Sequence, residues 1–168
     1  MKNGIVGEVV KPAGRPIRTA VRTLTTRPTL LHWVDPKELE ALHEALTKGG
    51  LPADFLAKLD RMAGGDLSHR FIEQNCRLFA ALLMASETGS FPDASPAQRE
   101  RLLRVLAYVR NNEDAIPDYW ADGLTDDQKE VLAAIVEMGG LLQTFKTWRL
   151  RHQVPGLWTG DEVHRLQA

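Results

Sequence analysis

Apolar and polar residues follow one another from Asp35 onward with the period of an α-helix. Within each segment the apolar residues recur three and four positions apart, so each segment would present one apolar face. Glycine pairs separate several of these segments, as at Gly49-Gly50 and Gly64-Gly65. The pattern predicts an all-α fold, a compact bundle of about five helices in which short loops join antiparallel neighbours.

Capping sequences predict where the helices begin. Three capping boxes, in which a cap residue and a partner three positions later bond each other's backbone, are predicted at 35–38, 95–98 and 125–128. The remaining two helices begin after Pro52 and at Asp66 or Ser68. Each of these starts follows a residue type that disfavours helix continuation or caps a new helix, so the segmentation has a local physical basis.

The last predicted helix, roughly Asp126 to Arg151, is the longest. Its apolar stripe steps by four and three residues and must be buried; it consists of Val131, Ile135, Met138, Leu142 and Phe145. Near its end we expect Trp148 to continue the stripe. We expect Arg149 and Arg151 to be exposed at the helix C-terminus, where the helix dipole favours cations.

Charge is divided unevenly between two parts of the chain. Residues 1–34 hold six basic residues and one acidic residue, a net charge of +5, whereas residues 35–168 have a net charge of −6. We therefore predict a basic arm rich in Pro, Thr and Arg over residues 1–34, partly extended. The helical bundle follows over residues 35–153, and a C-terminal tail over residues 154–168.

The arm carries the side chains that we expect to bind a partner. A short basic amphipathic helix is predicted there, with three apolar residues on one face and arginines on another: Arg15, Ile17, Arg18, Val21, Arg22 and Leu24. Such a segment cannot bury a core of its own, so we expect it to dock onto a protein or a multi-protein complex. An anionic membrane surface is the alternative partner. Nucleic acid is disfavoured, because no recognition motif accompanies the charge.

An acidic turn is the sharpest candidate for chemistry. Residues 111–131 contain seven carboxylates and one lysine. Carboxylates that could converge on a divalent cation are Asp114, Asp118, Asp126 and Asp127, although their spacing matches no EF-hand loop. The favoured interpretation is structural: helix caps and solvated charge around a tight turn, with no cofactor. A divalent-metal site, and with it a carboxylate-based metal enzyme, is the alternative.

The same stretch resembles the central motif of the YkvA-like family, the DUF1232 domain. The resemblance is carried by Tyr108, by "DAIPD" with Ile116 and Pro117, by Gly123 and by the pair Asp126-Asp127. It covers roughly 102–135 and implies a helical hairpin over residues 95–151. Asn111-Asn112 stands where the family usually has Ser-Pro, and the following helix begins "DDQKEV" instead of an apolar run. The resemblance therefore implies a soluble variant, with a membrane role in doubt.

Other signals narrow the class of protein. The only cysteine, Cys76, lies in an apolar helical pattern that predicts a buried, unreactive thiol. No nucleophile elbow, phosphate-binding loop or zinc-ligand spacing is present. The sequence also shows no apolar run of membrane-spanning length and no secretory signal. We predict a non-enzymatic helical accessory subunit in the cytoplasm, with attachment to a membrane surface as the alternative.

Overall fold

The computed structural model describes residues 34–112 and 123–152, and five α-helices make up most of these two stretches. In chain order they are α1 (Pro36–Thr47), α2 (Ala53–Ala63), α3 (Leu67–Glu87), α4 (Pro96–Arg110) and α5 (Thr125–His152). The described residues contain no strand, so the predicted all-α bundle of about five helices is confirmed. None of these helices is long and apolar enough to cross a membrane. Of the predicted arm, only Val34 is described, and it is buried.

The predicted capping box forms at α4; α1 begins at Pro36 with Asp35 as its cap, as predicted, but with a different hydrogen bond, and α5 begins one residue early. At α4 the predicted capping box forms, with Gln98 N donating to Ser95 Oγ (3.2 Å) and Ser95 N donating to Gln98 Oε1 (2.9 Å). At α1 the Asp35 carboxylate accepts from Lys37 N instead of reaching the third residue (2.9 Å). At α5 the Gln128 N–H bonds Leu124 O (3.0 Å), so Thr125 is already helical and is not the cap.

The end of α1 shows why glycine follows it. Gly49 N donates to Leu46 O (3.0 Å) and Gly50 N donates to Ala45 O (3.1 Å), the hydrogen-bond pair of a Schellman motif. This motif requires left-handed backbone at the first residue after the cap, and Gly49 has a φ of +84°. Gly89, which follows α3, has a φ of +72°. Both helices therefore stop where the sequence predicts.

α3 is the central helix, since it contacts α1, α2, α4 and α5. Its buried side chains cover more than one face and include Ile72, Cys76, Phe79, Leu82 and Leu83. Each large apolar side chain removed from water stabilises the fold by about 1.5–3 kcal/mol. Cys76 is fully buried, as predicted. The bundle is thus organised around α3, and the other helices cover it.

α5 buries the predicted stripe but is not a regular helix throughout. Val131, Leu142 and Phe145 are buried, and Ile135 is partly buried against the core. Met138, also buried, has non-helical φ and ψ values of −118° and 20°. The glycine pair 139–140 follows directly, and glycines weaken a helix interior, which accounts for a kink at this position.

We expect Gly49→Ala to destabilise the protein by about 1 kcal/mol, because an L side chain is strained at a positive φ. Gly50→Ala is the matched control: it has no positive φ, and at neither glycine would a Cβ meet another atom within 4 Å. It should be neutral or slightly stabilising. Urea denaturation of both variants checks this, and equal free energies of unfolding would contradict the proposed end of α1.

Candidate functional site

Most of the buried charge in the described residues lies where α4 ends and α5 begins. We call this group the polar cluster: Lys58, Glu73, Tyr108, Asp126, Asp127 and Glu130, all of them buried. Taking a charged group out of water is costly unless it is paired or hydrogen-bonded. At this end of the bundle α2, α4 and α5 supply partners for one another's polar groups.

Tyr108 and Asp126 connect the last turn of α4 to the first turn of α5. The Tyr108 hydroxyl donates to Asp126 Oδ2 at 2.6 Å, and both side chains are almost fully buried. A hydrogen bond to a carboxylate of this length is short and charge-assisted, roughly twice as strong as one between neutral groups. Because both residues belong to the motif that resembles the YkvA-like family, the structure brings two ends of that motif together.

Lys58 connects α2 to both of these helices. Its ammonium group donates to Val109 O and to Asn111 O (3.3 Å), and it lies 3.9 Å from Asp127 Oδ2. The last carbonyl groups of a helix have no partner within the helix, so Lys58 acts as a cap for the end of α4. At the surface, Arg110 bonds Asp54 (2.9 and 3.2 Å) and so joins α4 to α2 a second time. These hydrogen bonds lower the pKa of Asp54.

Arginines pair with the other two carboxylates of the cluster. Arg77 Nε donates to Glu73 Oε1 (2.5 Å), one turn earlier on α3. Arg101 on α4 lies 3.6 Å from Glu130 Oε2 on α5. Both arginines are largely buried, which reduces the screening of these pairs by water. The buried acids at this end of the bundle are therefore each matched to a cation or a hydroxyl.

Cys76 lies next to the polar cluster on α3. Burial raises the pKa of the Cys76 thiol, the Asp127 carboxylate raises it further, and the Lys58 charge only partly opposes them. The side chain has no exposed surface. A thiol that is protonated and inaccessible cannot act as a nucleophile. The expectation of an unreactive cysteine therefore agrees with the geometry.

A shallow cavity of about 440 Å³ opens beside Lys58. Its lining includes Arg61, Gly65, His69 and Asn112. His69 Nδ1 lies 2.6 Å from Asp66 Oδ1, so this ring is already engaged. A Cβ at Gly65 would lie 2.7 Å from His69 Cβ, which explains the glycine at this edge. Lys58 and Arg61 make the described walls of this cavity basic.

No protein-family model, curated protein or solved structure matches this chain. The resemblance to the YkvA-like family therefore stays a prediction, and any function must be inferred from the charge pattern of the chain and the geometry of the described residues.

The structure separates the predicted site residues into two groups. Tyr108, Gly123, Asp126 and Asp127 are described, and all four are buried. The others lie outside the described residues: Asp114, Ile116, Pro117 and Asp118 of the turn, and Arg15, Ile17, Arg18, Val21, Arg22 and Leu24 of the arm. The prediction of solvated charge is wrong for Asp126 and Asp127. Both carboxylates are buried, where Tyr108 donates a hydrogen bond to Asp126 and Lys58 lies beside Asp127.

The divalent-metal alternative gains no support from the described residues. They contain no group of three or more His, Cys, Asp or Glu side chains that could hold a metal ion. Asp126 and Asp127 are directed to different partners, Tyr108 and Lys58. Hard cations such as Mg²⁺ require several oxygens converging on one point. Asp126 and Asp127 therefore join helices: Asp126 joins α5 to α4, and Asp127 joins α5 to α2.

Sequence reasoning also missed Arg149 at the other end of α5. This side chain was expected to be exposed, but it is 8% exposed, and its guanidinium lies 5.7 Å from the centre of the Phe145 ring. An arginine over an aromatic face is attracted by the ring quadrupole. Phe91, Phe145 and Trp148 pack together there, with ring centres 5.0–5.7 Å apart. The only available signal was the spacing of four between Phe145 and Arg149.

Replacing Tyr108 by Phe should destabilise the protein by about 1.5–3 kcal/mol, because a buried carboxylate loses one charge-assisted donor. The double variant Tyr108→Phe with Asp126→Asn should lose less than the sum of the two single variants. Thermal or urea unfolding of the four proteins gives the coupling energy. Additive losses would show that the 2.6 Å contact does not stabilise the junction of α4 and α5.

Lys58→Met should cost about 3–5 kcal/mol, because it keeps the aliphatic stem but removes the cap of α4 and the cation beside Asp127. Lys37→Met, at an exposed position of α1, is the matched control and should be nearly neutral. Adding Asp127→Asn to Lys58→Met should restore part of the stability. Urea denaturation measures all three, and a loss no larger than that of the control would refute the role of Lys58.

Proposed function

We propose that this protein is a non-enzymatic helical accessory subunit, which docks through its basic N-terminal arm onto a larger protein complex. The observation that carries the proposal is the separation of charge, +5 over residues 1–34 and −6 over residues 35–168. Residues 1–34 therefore attract anionic surfaces, whereas residues 35–168 repel them. Electrostatic complementarity of this kind steers association and selects partners.

The described bundle supports this division of roles. Its core is made by residues from Val34 to Phe145, which close around α3. The buried charges of the polar cluster pair between helices and so join them. Such a bundle is suited to act as a scaffold, and the proposal assigns partner binding to the arm.

Docking of the arm would combine charge with apolar contact. Arg15, Arg18 and Arg22 would steer the arm to an acidic surface, and an apolar triplet at spacings of four and three would anchor it. That triplet is Ile17, Val21 and Leu24. If the arm folds upon binding, the conformational entropy that it loses at that step lowers the net affinity.

We expect charge reversal at Arg15, Arg18 and Arg22 to Glu to abolish co-purification of the partner from native cells. Circular dichroism should show unchanged helix content, because none of the five described helices contains these three positions. A control with the same change in net charge is Lys37, Lys48 and Arg70 to Glu, all exposed on the bundle. Retained binding by the arm variant, or equal loss by the control, would refute docking through the arm.

The alternative, a protein attached to a membrane surface, is separated by one further measurement on the same variants. Flotation of the full chain with vesicles containing about 30% phosphatidylserine would reveal binding to anionic lipid, which should fall with salt. Flotation that depends on the three arm arginines, without any protein partner, would replace the first proposal by this one.

The relationship to the YkvA-like family is a proposal as well. It is supported by the contact between Tyr108 and Asp126, because the resemblance implies a helical hairpin and this contact joins the two helices α4 and α5. That relationship concerns the α4–α5 hairpin and carries no activity with it.

A further inference from the structure

Exposed large apolar side chains are concentrated on α5. Leu132, Val136 and Leu150 are 50%, 77% and 63% exposed. In the described residues only one other large apolar side chain, Leu67, is comparably exposed. At 100° per residue Leu132 and Val136 lie about 40° apart around the helix axis, and Leu150 lies on α5 beyond the kink at Met138. We call the exposed side of α5 that carries these three residues the outer face of α5.

Of the charged residues that α5 itself contributes, its outer face carries only cations. Lys129, Lys146 and Arg151 are exposed along it or at its edge. Of the four acidic residues of α5, three belong to the buried polar cluster. The fourth, Glu137, is turned toward α4, where Arg101 holds it at 2.9 and 3.2 Å. On a part of the chain whose net charge is −6, this face is therefore locally basic.

The outer face of α5 is not flat, because a groove lies beside two exposed glycines. Gly139 and Gly140 are exposed, and a Cβ at either position would meet no atom within 4 Å. A groove of about 490 Å³ runs from Gly140 past Gln143 and Thr147 to Trp148 and Arg151. One carboxylate, Asp93, lines its edge. Grooves with apolar and hydrogen-bonding walls are typical of surfaces that accept side chains of another protein.

We infer that the outer face of α5 is a docking surface for an acidic segment of a protein partner, one with apolar side chains flanked by Asp or Glu. Charge complementarity selects this occupant. A second copy of the chain that packed the same face against this one would bring two sets of three cations together, which is unfavourable. A lipid surface would leave the groove unfilled. The inference rests on the proposed function of an accessory subunit, but it uses a surface distinct from the arm.

Photo-cross-linking in native cells tests this inference on the full chain. A benzoylphenylalanine placed at Gln143, in the middle of the outer face, should form an adduct with a protein segment of net negative charge. Charge reversal of Lys129, Lys146 and Arg151 to Glu should lower the adduct yield about tenfold, as expected for the loss of three surface ion pairs. Reversal of Lys37, Lys48 and Arg70 is the matched control and should leave the yield unchanged.

Several results would overturn the inference: no protein adduct, an adduct to this chain alone, an adduct to lipid alone, or an adduct to a neutral or basic segment. Equal yields in the two charge-reversed variants would also overturn it.

Docking through the arm is tested separately. If charge reversal of the arm leaves co-purification intact while the adduct at position 143 forms, docking through the arm is wrong and the α5 surface stands. If the complex depends on the arm and that adduct does not form, the α5 surface is wrong and docking through the arm stands.

Discussion

The ammonium group of Lys58 is the contact on which the end of the bundle depends. It reaches from α2 to the last carbonyl groups of α4, at Val109 and Asn111, and lies beside the Asp127 carboxylate in the first turn of α5. Three helices thus meet at one charge in a nearly water-free position. The desolvation cost of such a charge is several kcal/mol, so the arrangement is stable only while all of these partners are in place.

This requirement makes the polar cluster a constraint on helix position. Hydrogen bonds and ion pairs tolerate smaller displacements than apolar contacts do, and a shift of α5 by one residue would move Asp126 away from Tyr108. The start of α5 at Thr125, one residue earlier than its cap sequence favours, places both acids inside the bundle. We interpret the early start as local capping being outweighed by two buried tertiary contacts.

Acidic groups turned inward leave the outside of α5 basic, and this links the polar cluster to the proposed surfaces. Asp126, Asp127 and Glu130 are used within the bundle, and Glu137 is held by Arg101. What the helix presents outward is therefore Lys129, Lys146 and Arg151 around exposed apolar side chains. The proposed arm and the outer face of α5 share a chemistry, cationic and apolar, although they are separated in the chain.

The sequence by itself determined the helices, because helix formation depends on residues within about four positions of each other. Periodicity predicted the stripe of α5, and the box at Ser95 and the glycine at position 49 marked helix ends that the structure contains. The sequence did not determine which polar residues are buried. The polar cluster joins Lys58 to a carbonyl group 51 residues away, and Tyr108 to an acidic residue 18 residues away. Arg149 is buried because Phe145 and its neighbours form a packed aromatic group, although its position at a helix C-terminus predicted exposure. Burial is a property of the assembled bundle, and only the tertiary structure decides it, because the partners that compensate for desolvation come from distant parts of the chain.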